Sequence, residues 1–312
     1  LETLGHSDFG GKLTTALTAH PKICPQAGEM LAFGYQVFPP FVTYHRFDAA
    51  GQLAQSLEIP MNGPTMVHDF AVSRRHAVFM DLPVVFNLED AMAGKMPFAW
   101  SENYPARFGV MPRDGDADQL RWFDVSPCYI FHVLNAYDDG DAVVVEAARY
   151  RRMWANAGAF GDGAAQLWRY RLDLKSGAVS EGPLDDAGIE FPRTDERRAG
   201  LPHRFGYAVE RNADAEAPAL LGRLFKYDVT DGSRQDAVFS PGEMLGEPVF
   251  AAAGTGEDEG YVMTFAHQPD GEGTDLVVLD AQNFGAGPVA RVKIPRRVPL
   301  GFHGSFFPDD GV

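Results

Sequence analysis

The chain has 312 residues, 45% hydrophobic, 22% charged and 12% aromatic, a balance that excludes disordered and fibrous classes and suffices for a large core. A net charge of −16, with acidic residues spread along the whole length, disfavours nucleic acid and anionic membrane surfaces as partners. Two cysteines, Cys24 and Cys128, are too few for a disulfide framework, so a reducing compartment and hence the cytoplasm is expected, with a single bridge left open.

No run of 18 apolar residues and no basic-then-apolar leader occurs, so nothing reads as spanning a membrane or directing export. The chain starts at Leu1 without an initiator Met, in what reads as the middle of an element, as a fragment or a chain trimmed of its leader would.

In chain order, His20 stands in Thr18-Ala19-His20-Pro21-Lys22, a little ahead of the first strand signal at 31–38. His68 follows in Pro64-Thr65-Met66-Val67-His68-Asp69-Phe70, ahead of a second strand run at 77–86. One short helical turn is readable at 89–93, where a loop is the competing reading. His132 then lies in the apolar stretch Tyr129-Ile130-Phe131-His132-Val133-Leu134-Asn135-Ala136-Tyr137. Further strands are predicted at 142–148, 166–174, 219–229, 261–265 and 275–279, before His303 in Gly301-Phe302-His303-Gly304-Ser305-Phe306.

A loose internal echo runs through the second half. Tyr170-Arg171-Leu172-Asp173-Leu174-Lys175-Ser176-Gly177, Lys226-Tyr227-Asp228-Val229-Thr230-Asp231-Gly232 and Val278-Leu279-Asp280-Ala281-Gln282 are each a strand reaching an Asp and a polar turn. Such hairpins suit the blades of a propeller, and a sandwich or barrel would show them too.

The intervals between the four histidines, 48, 64 and 171 residues, match no zinc finger and no HExxH helix. They suit a radial fold in which separate units each send one residue to a common axis. An imidazole among aromatic residues is costly to charge, so a neutral ring with a partner is expected at His132 and His303.

Taken together, the four segments resemble, in order, the iron-ligand motifs of the carotenoid cleavage oxygenase family. The matches are Thr18 to Lys22 with Gly28-Glu29, Met66 to Phe70, Phe131 to Ala136, and Gly301 to Gly304. Family-like stretches also occur at Ala32-Phe33-Gly34-Tyr35, Gly109-Val110-Met111-Pro112-Arg113 and Glu190-Phe191-Pro192-Arg193. The resemblance covers essentially the whole chain. It implies an all-β fold, a seven-bladed β-propeller present here without its N-terminal blades, with residues 1–312 forming one domain, the C-terminal part of the family's.

The resemblance further implies one Fe(2+) held by His20, His68, His132 and His303, with no other catalytic side chain. Four neutral imidazoles bring no negative charge, so the ion keeps its full charge and open positions. Metal-bound imidazoles usually donate their second N–H to a carboxylate. By motif, Glu190 and Glu247 (in Gly246-Glu247-Pro248-Val249-Phe250) match two of three family glutamates in this role, and the third would fall ahead of residue 1. The remaining histidines, His6, His45, His76, His203 and His267, match no ligand motif and read as surface or structural residues.

The implied reaction adds dioxygen across a conjugated carbon–carbon double bond to leave two carbonyl products. The implied partners are O2 and a small apolar conjugated substrate, a carotenoid, an apocarotenoid or a stilbene-like compound, with weak membrane-surface contact for its uptake. An aromatic-lined tunnel is expected, with which 23 Phe and 10 Tyr are compatible. Three alternatives stand beside this reading: an isomerase of the same fold, a metal-free propeller binding module, and a fragment whose ring stays open and exposes sheet edges.

Overall fold

Short runs of β-branched and aromatic residues, punctuated by Gly, Pro and Asp, cannot bury both faces alone, so each run pairs with its neighbour in sequence. The computed structural model describes residues 2–3, 5–155, 163–211, 220–269, 271 and 273–308, and these are almost all β-strand and connecting turn.

Five antiparallel sheets follow one another along the chain. The first joins β1 (Lys22–Ile23), β2 (Met30–Tyr35), β3 (Val42–Phe47) and β4 (Leu53–Ile59) in that order. In the second, β5 (Ala71–Val72) and β6 (His76–Asp81) are followed by a separate hairpin of β7 (Val84–Phe86) and β8 (Phe98–Trp100). The sheet then resumes with β9 (Arg107–Pro112) and β10 (Arg121–Asp124), in the order β5-β6-β9-β10. The third joins β11 (Tyr129–Asp139), β12 (Ala142–Tyr150), β13 (Gln166–Asp173) and β14 (Val179–Pro183). The fourth joins β15 (Ile189–Thr194), β16 (Phe205–Arg211), β17 (Leu220–Asp228) and β18 (Ser233–Val238). In the fifth, β19 (Met244–Leu245) and β20 (Val249–Ala252) both pair with β21 (Gly260–His267), followed by β22 (Thr274–Asp280) and β23 (Pro288–Lys293).

The internal echo marks the connection from the next-to-last to the last strand in sheets three, four and five. In each, the Asp at the strand end folds its side chain onto the turn backbone. Asp173 Oδ1 accepts from Lys175 N and Ser176 N at 3.0 and 2.7 Å, Asp228 Oδ1 from Thr230 N at 3.1 Å, and Asp280 Oδ1 from Gln282 N at 2.8 Å. Gly177 and Gly232 close two of these turns at φ +82° and +76°.

Two predicted runs are shorter or split. The run at 31–38 ends at Tyr35, because Pro39 and Pro40 lack the N–H that a ladder needs and the chain turns there, with Phe38 exposed. The run at 77–86 breaks into β6 and β7, since Pro83 cannot donate to a ladder. Of the predicted run at 219–229, Ala219 lies outside the described residues. The helical turn is real: α1 (Leu88–Met92) is capped by Asn87, whose side chain accepts from Glu89 N and Asp90 N. No helix among the described residues is long and apolar enough to cross a membrane. Cys24 and Cys128 are both free thiols, so no bridge joins them.

Apolar faces of consecutive sheets pack on each other. Tyr44 of β3 meets Phe79 of β6 with centroids 5.5 Å apart, Phe108 of β9 meets Tyr170 of β13 at 4.8 Å, and Tyr207 of β16 stacks near Phe250 of β20 at 5.8 Å. Each fully buried ring of this kind contributes roughly 1.5–3 kcal/mol of transfer free energy. Polar ties cross the same gaps: Asp138 accepts from Ser73 Oγ at 3.0 Å between sheets two and three, and Lys226 Nζ donates to Ala281 O at 2.7 Å between four and five.

Candidate metal centre

Each of the five larger sheets carries one residue of the candidate site on, just ahead of or just after its leading strand. His20 precedes β1, His68 precedes β5, His132 lies on β11, Glu190 lies on β15, and Glu247 lies between β19 and β20. His303 arrives on the extended segment after β23.

Local backbone irregularities aim these side chains. The pairing of β11 with β12 slips on both sides of Val133, next to His132, and that of β15 with β16 slips between Glu190 and Arg193. Phe191 sits in the left-handed region at φ +52°, a strained conformation for an aromatic residue, and its N–H donates to Glu190 Oε2 at 2.6 Å. The His20 segment is pinned across β2 by Thr18 N donating to Phe33 O at 2.7 Å. Gly34 permits this approach, since a Cβ there would overlap the Ala16 carbonyl oxygen and stand 2.5 Å from Thr15 Oγ1.

The four imidazoles converge. One ring nitrogen from each of His20, His68, His132 and His303 falls in a group whose members all lie within 4.8 Å of one another. Nε2 of His20 and Nε2 of His68 are 3.1 Å apart. His132 Nε2 is buried and has no hydrogen-bond partner among the described residues.

Carboxylates fix two of the rings. Glu190 Oε2 lies 2.7 Å from His132 Nδ1, and Glu190 Oε1 accepts from Tyr150 OH at 2.8 Å. Glu247 Oε1 lies 3.2 Å from His303 Nδ1, while its Oε2 accepts from Gly304 N at 2.9 Å and pairs with Arg193 Nη1 at 2.8 Å. Among the described residues no carboxylate hydrogen-bonds to His20 or His68.

Burial holds His20 down to a pKa of about 3 and His68 down to about 4, with the neighbouring imidazoles pushing the same way, so both are neutral at neutral pH. At His132 burial also opposes charge, but the Glu190 carboxylate outweighs it and leaves that pKa raised. Glu190 is correspondingly lowered: burial pushes its carboxyl up, and the His132 contact more than reverses this.

This donor set fits a metal. An unpartnered buried nitrogen is expensive unless something occupies its lone pair. Two neutral Nε2 atoms at 3.1 Å need a proton or a cation between them, and that is close to the separation of nitrogens sharing one ion at about 2.1 Å each. The other histidines stay apart. His45 bonds Thr15 and Ser56, His76 bonds Asp138, His203 bonds Asn135, His267 bonds Thr274, and His6 is exposed.

Three contributors escaped sequence reasoning. Asp69, Tyr150 and Arg193 are buried or half-buried and reach the four imidazoles only through other residues. Asp69 and Arg193 stand inside quoted motifs, beside His68 and three residues after Glu190, and adjacency was the available signal.

Residues 1–308 match the family model described as retinal pigment epithelial membrane protein. The chain is 34% identical over 360 residues to a carotenoid cleavage oxygenase of Mycobacterium tuberculosis, covering 99% of this chain and 71% of that protein. It is 32% identical to carotenoid 9,10(9',10')-cleavage dioxygenase 1 of Phaseolus vulgaris, covering 99% of this chain and 61% of that one. Its structure resembles Pseudomonas brassicacearum lignostilbene dioxygenase with a TM-score of 0.88 at 30% identity, over 99% of this chain and 69% of that one. It also resembles the cobalt-substituted Synechocystis apocarotenoid oxygenase with a TM-score of 0.83 at 25% identity, over 98% and 68%. A family match over nearly every residue, joined to a fold shared with these oxygenases, places this chain in the carotenoid cleavage oxygenase family.

Proposed function

We propose that His20, His68, His132 and His303 hold one iron(II), and that the chain carries the metal centre of a dioxygenase. Its substrate would be a carotenoid, an apocarotenoid or a stilbene-like compound, cleaved at a conjugated double bond to two carbonyl products. The observation that carries this reading is the buried, unpartnered Nε2 of His132 grouped with three further imidazole nitrogens. Names among the relatives support it, since they include carotenoid cleavage dioxygenases and a lignostilbene dioxygenase, and one structural neighbour is cobalt-substituted.

Iron(II), when bound, supplies redox activation of dioxygen beside the double bond. The chain's own residues prepare that position. Glu190 and Glu247 keep the protons of His132 and His303 on Nδ1, leaving each Nε2 lone pair free. Phe131 stands 5.5 Å from His68, and Phe191 stands 5.1 Å from His132 and 5.6 Å from His303, centroid to centroid. These rings cover His68 and His132, while His303 stays exposed, and they offer an apolar wall to a conjugated substrate.

We further read the five sheets as blades of the seven-bladed propeller, within one domain over residues 1–312. Support comes from the sequential packing of sheets and from the repeated placement of site residues at leading strands.

The test is metal content after tag-free purification without oxygen, followed by turnover of stilbenes and apocarotenoids under 18O2. About one iron per chain and two carbonyl products are expected. A folded chain that takes up no metal refutes the centre, and a product of unchanged mass indicates isomerisation instead.

A further inference from the structure

His20, His68 and His132 come from three different sheets, and no ladder hydrogen bond joins the leading strands of those sheets. Sheet pairing alone therefore leaves their mutual placement free, although a metal needs its donors held to within about half an ångström.

One buried side chain joins all three segments. Asp69, adjacent to His68, is 2% exposed. Its Oδ1 pairs with Lys22 Nζ at 2.7 Å, two residues after His20, and accepts from its neighbour Phe70 N at 2.8 Å. Its Oδ2 accepts from Val133 N at 2.9 Å, the residue after His132, where the β11 pairing slips on either side. A carboxylate suits this place because it only accepts, and Lys22 supplies the countercharge that burial demands.

We propose that Asp69 is a positioning residue that sets the spacing of His20, His68 and His132 without itself binding the metal. The inference rests on the four-imidazole metal centre proposed above. An amide at position 69 could not replace the carboxylate: its oxygen would serve one end of the clamp, while its NH2 faced a donor at the other.

Cobalt(II) is the probe, because its visible absorption reports coordination geometry as well as occupancy. In Asp69→Asn the affinity falls about ten- to a hundredfold, as when groups that orient metal ligands are lost, and the absorption band shifts. Asp81→Asn is the control. Asp81 is equally buried and clamps Arg107 Nε at 2.9 Å, Tyr104 OH at 2.6 Å and Asn62 N at 3.1 Å, none of them a proposed ligand. Its loss lowers thermal stability and leaves cobalt affinity and band as in the wild type.

Wild-type affinity and band in Asp69→Asn overturn the clamp while the metal centre stands. A wild-type chain that binds no cobalt overturns both. Should Asp69→Asn fail to fold, Lys22→Met severs only the outer arm, at a lysine 22% exposed. Weaker cobalt binding with a shifted band then supports the clamp, and unchanged values overturn it.

Discussion

Glu190 Oε2 stands 2.7 Å from His132 Nδ1, and a carboxylate can only accept, so that nitrogen carries the ring proton and Nε2 keeps its lone pair. In Glu190→Gln the shape survives but the charge that polarises the ring is lost. Metal affinity is expected to fall about ten- to a hundredfold, with the β-sheet circular dichroism unchanged. Chelator competition measures this, and equal affinities would show that Glu190 does not orient the ligand.

His132→Ala removes the most buried of the four imidazoles and is expected to abolish metal binding in a chain that keeps its sheets. His203→Ala makes the contrast. His203 bonds Asn135 and lies 3.1 Å from Glu146 Oε2, short of hydrogen-bond alignment, in a fully buried pocket. That variant is expected to keep its metal while losing about 1–3 kcal/mol of stability, because it removes a buried ring and its contact with Asn135 and leaves a cavity. Denaturant midpoints read beside metal content separate the two effects, and metal retained at full affinity in His132→Ala would refute its ligand role.

Metal affinity is expected to depend on pH through His132. His20 and His68, held near 3 and 4, are already deprotonated in mild acid, whereas the pKa of His132 is raised above 6.5. In the metal-free chain the charged His132–Glu190 pair contributes stability that is full below 6.5 and fades as pH rises through the raised value. Metal binding runs the opposite way, since the ion must displace that proton. Affinity should fall about tenfold per pH unit below the raised His132 value and level off above it. A flat titration between pH 5 and 7 would contradict the assignment.

Gly34→Ala tests whether the segment ahead of His20 must lie against β2. The new methyl would overlap Ala16 O, so the segment has to lift. A loss of about 1–3 kcal/mol is expected from overpacking, together with weaker metal binding because His20 moves with it. Calorimetry and metal titration on the same sample check both, and lost stability with unchanged affinity would uncouple His20 from the strap.

Much of this molecule was legible in its residues. Strand runs bounded by Gly, Pro and Asp gave an all-β chain, because the period of two and the turn chemistry are local properties. The Asp-ended echo located three hairpins, since an Asp that folds back on its own turn acts within three residues. The four histidines and two glutamates were named from short motifs that travel with their neighbours in sequence.

What the residues alone left open was convergence. Intervals of 48, 64 and 171 residues carry no geometry, and only the stacking of sheets brings those nitrogens within 4.8 Å of one another. The burial that keeps His20 and His68 neutral and the pairing that raises His132 are likewise properties of packed neighbours. Asp69 shows the division most plainly. Its sequence position beside His68 was visible, but its bonds to Lys22 and Val133 reach 47 residues back and 64 forward, a distance that folding alone can close.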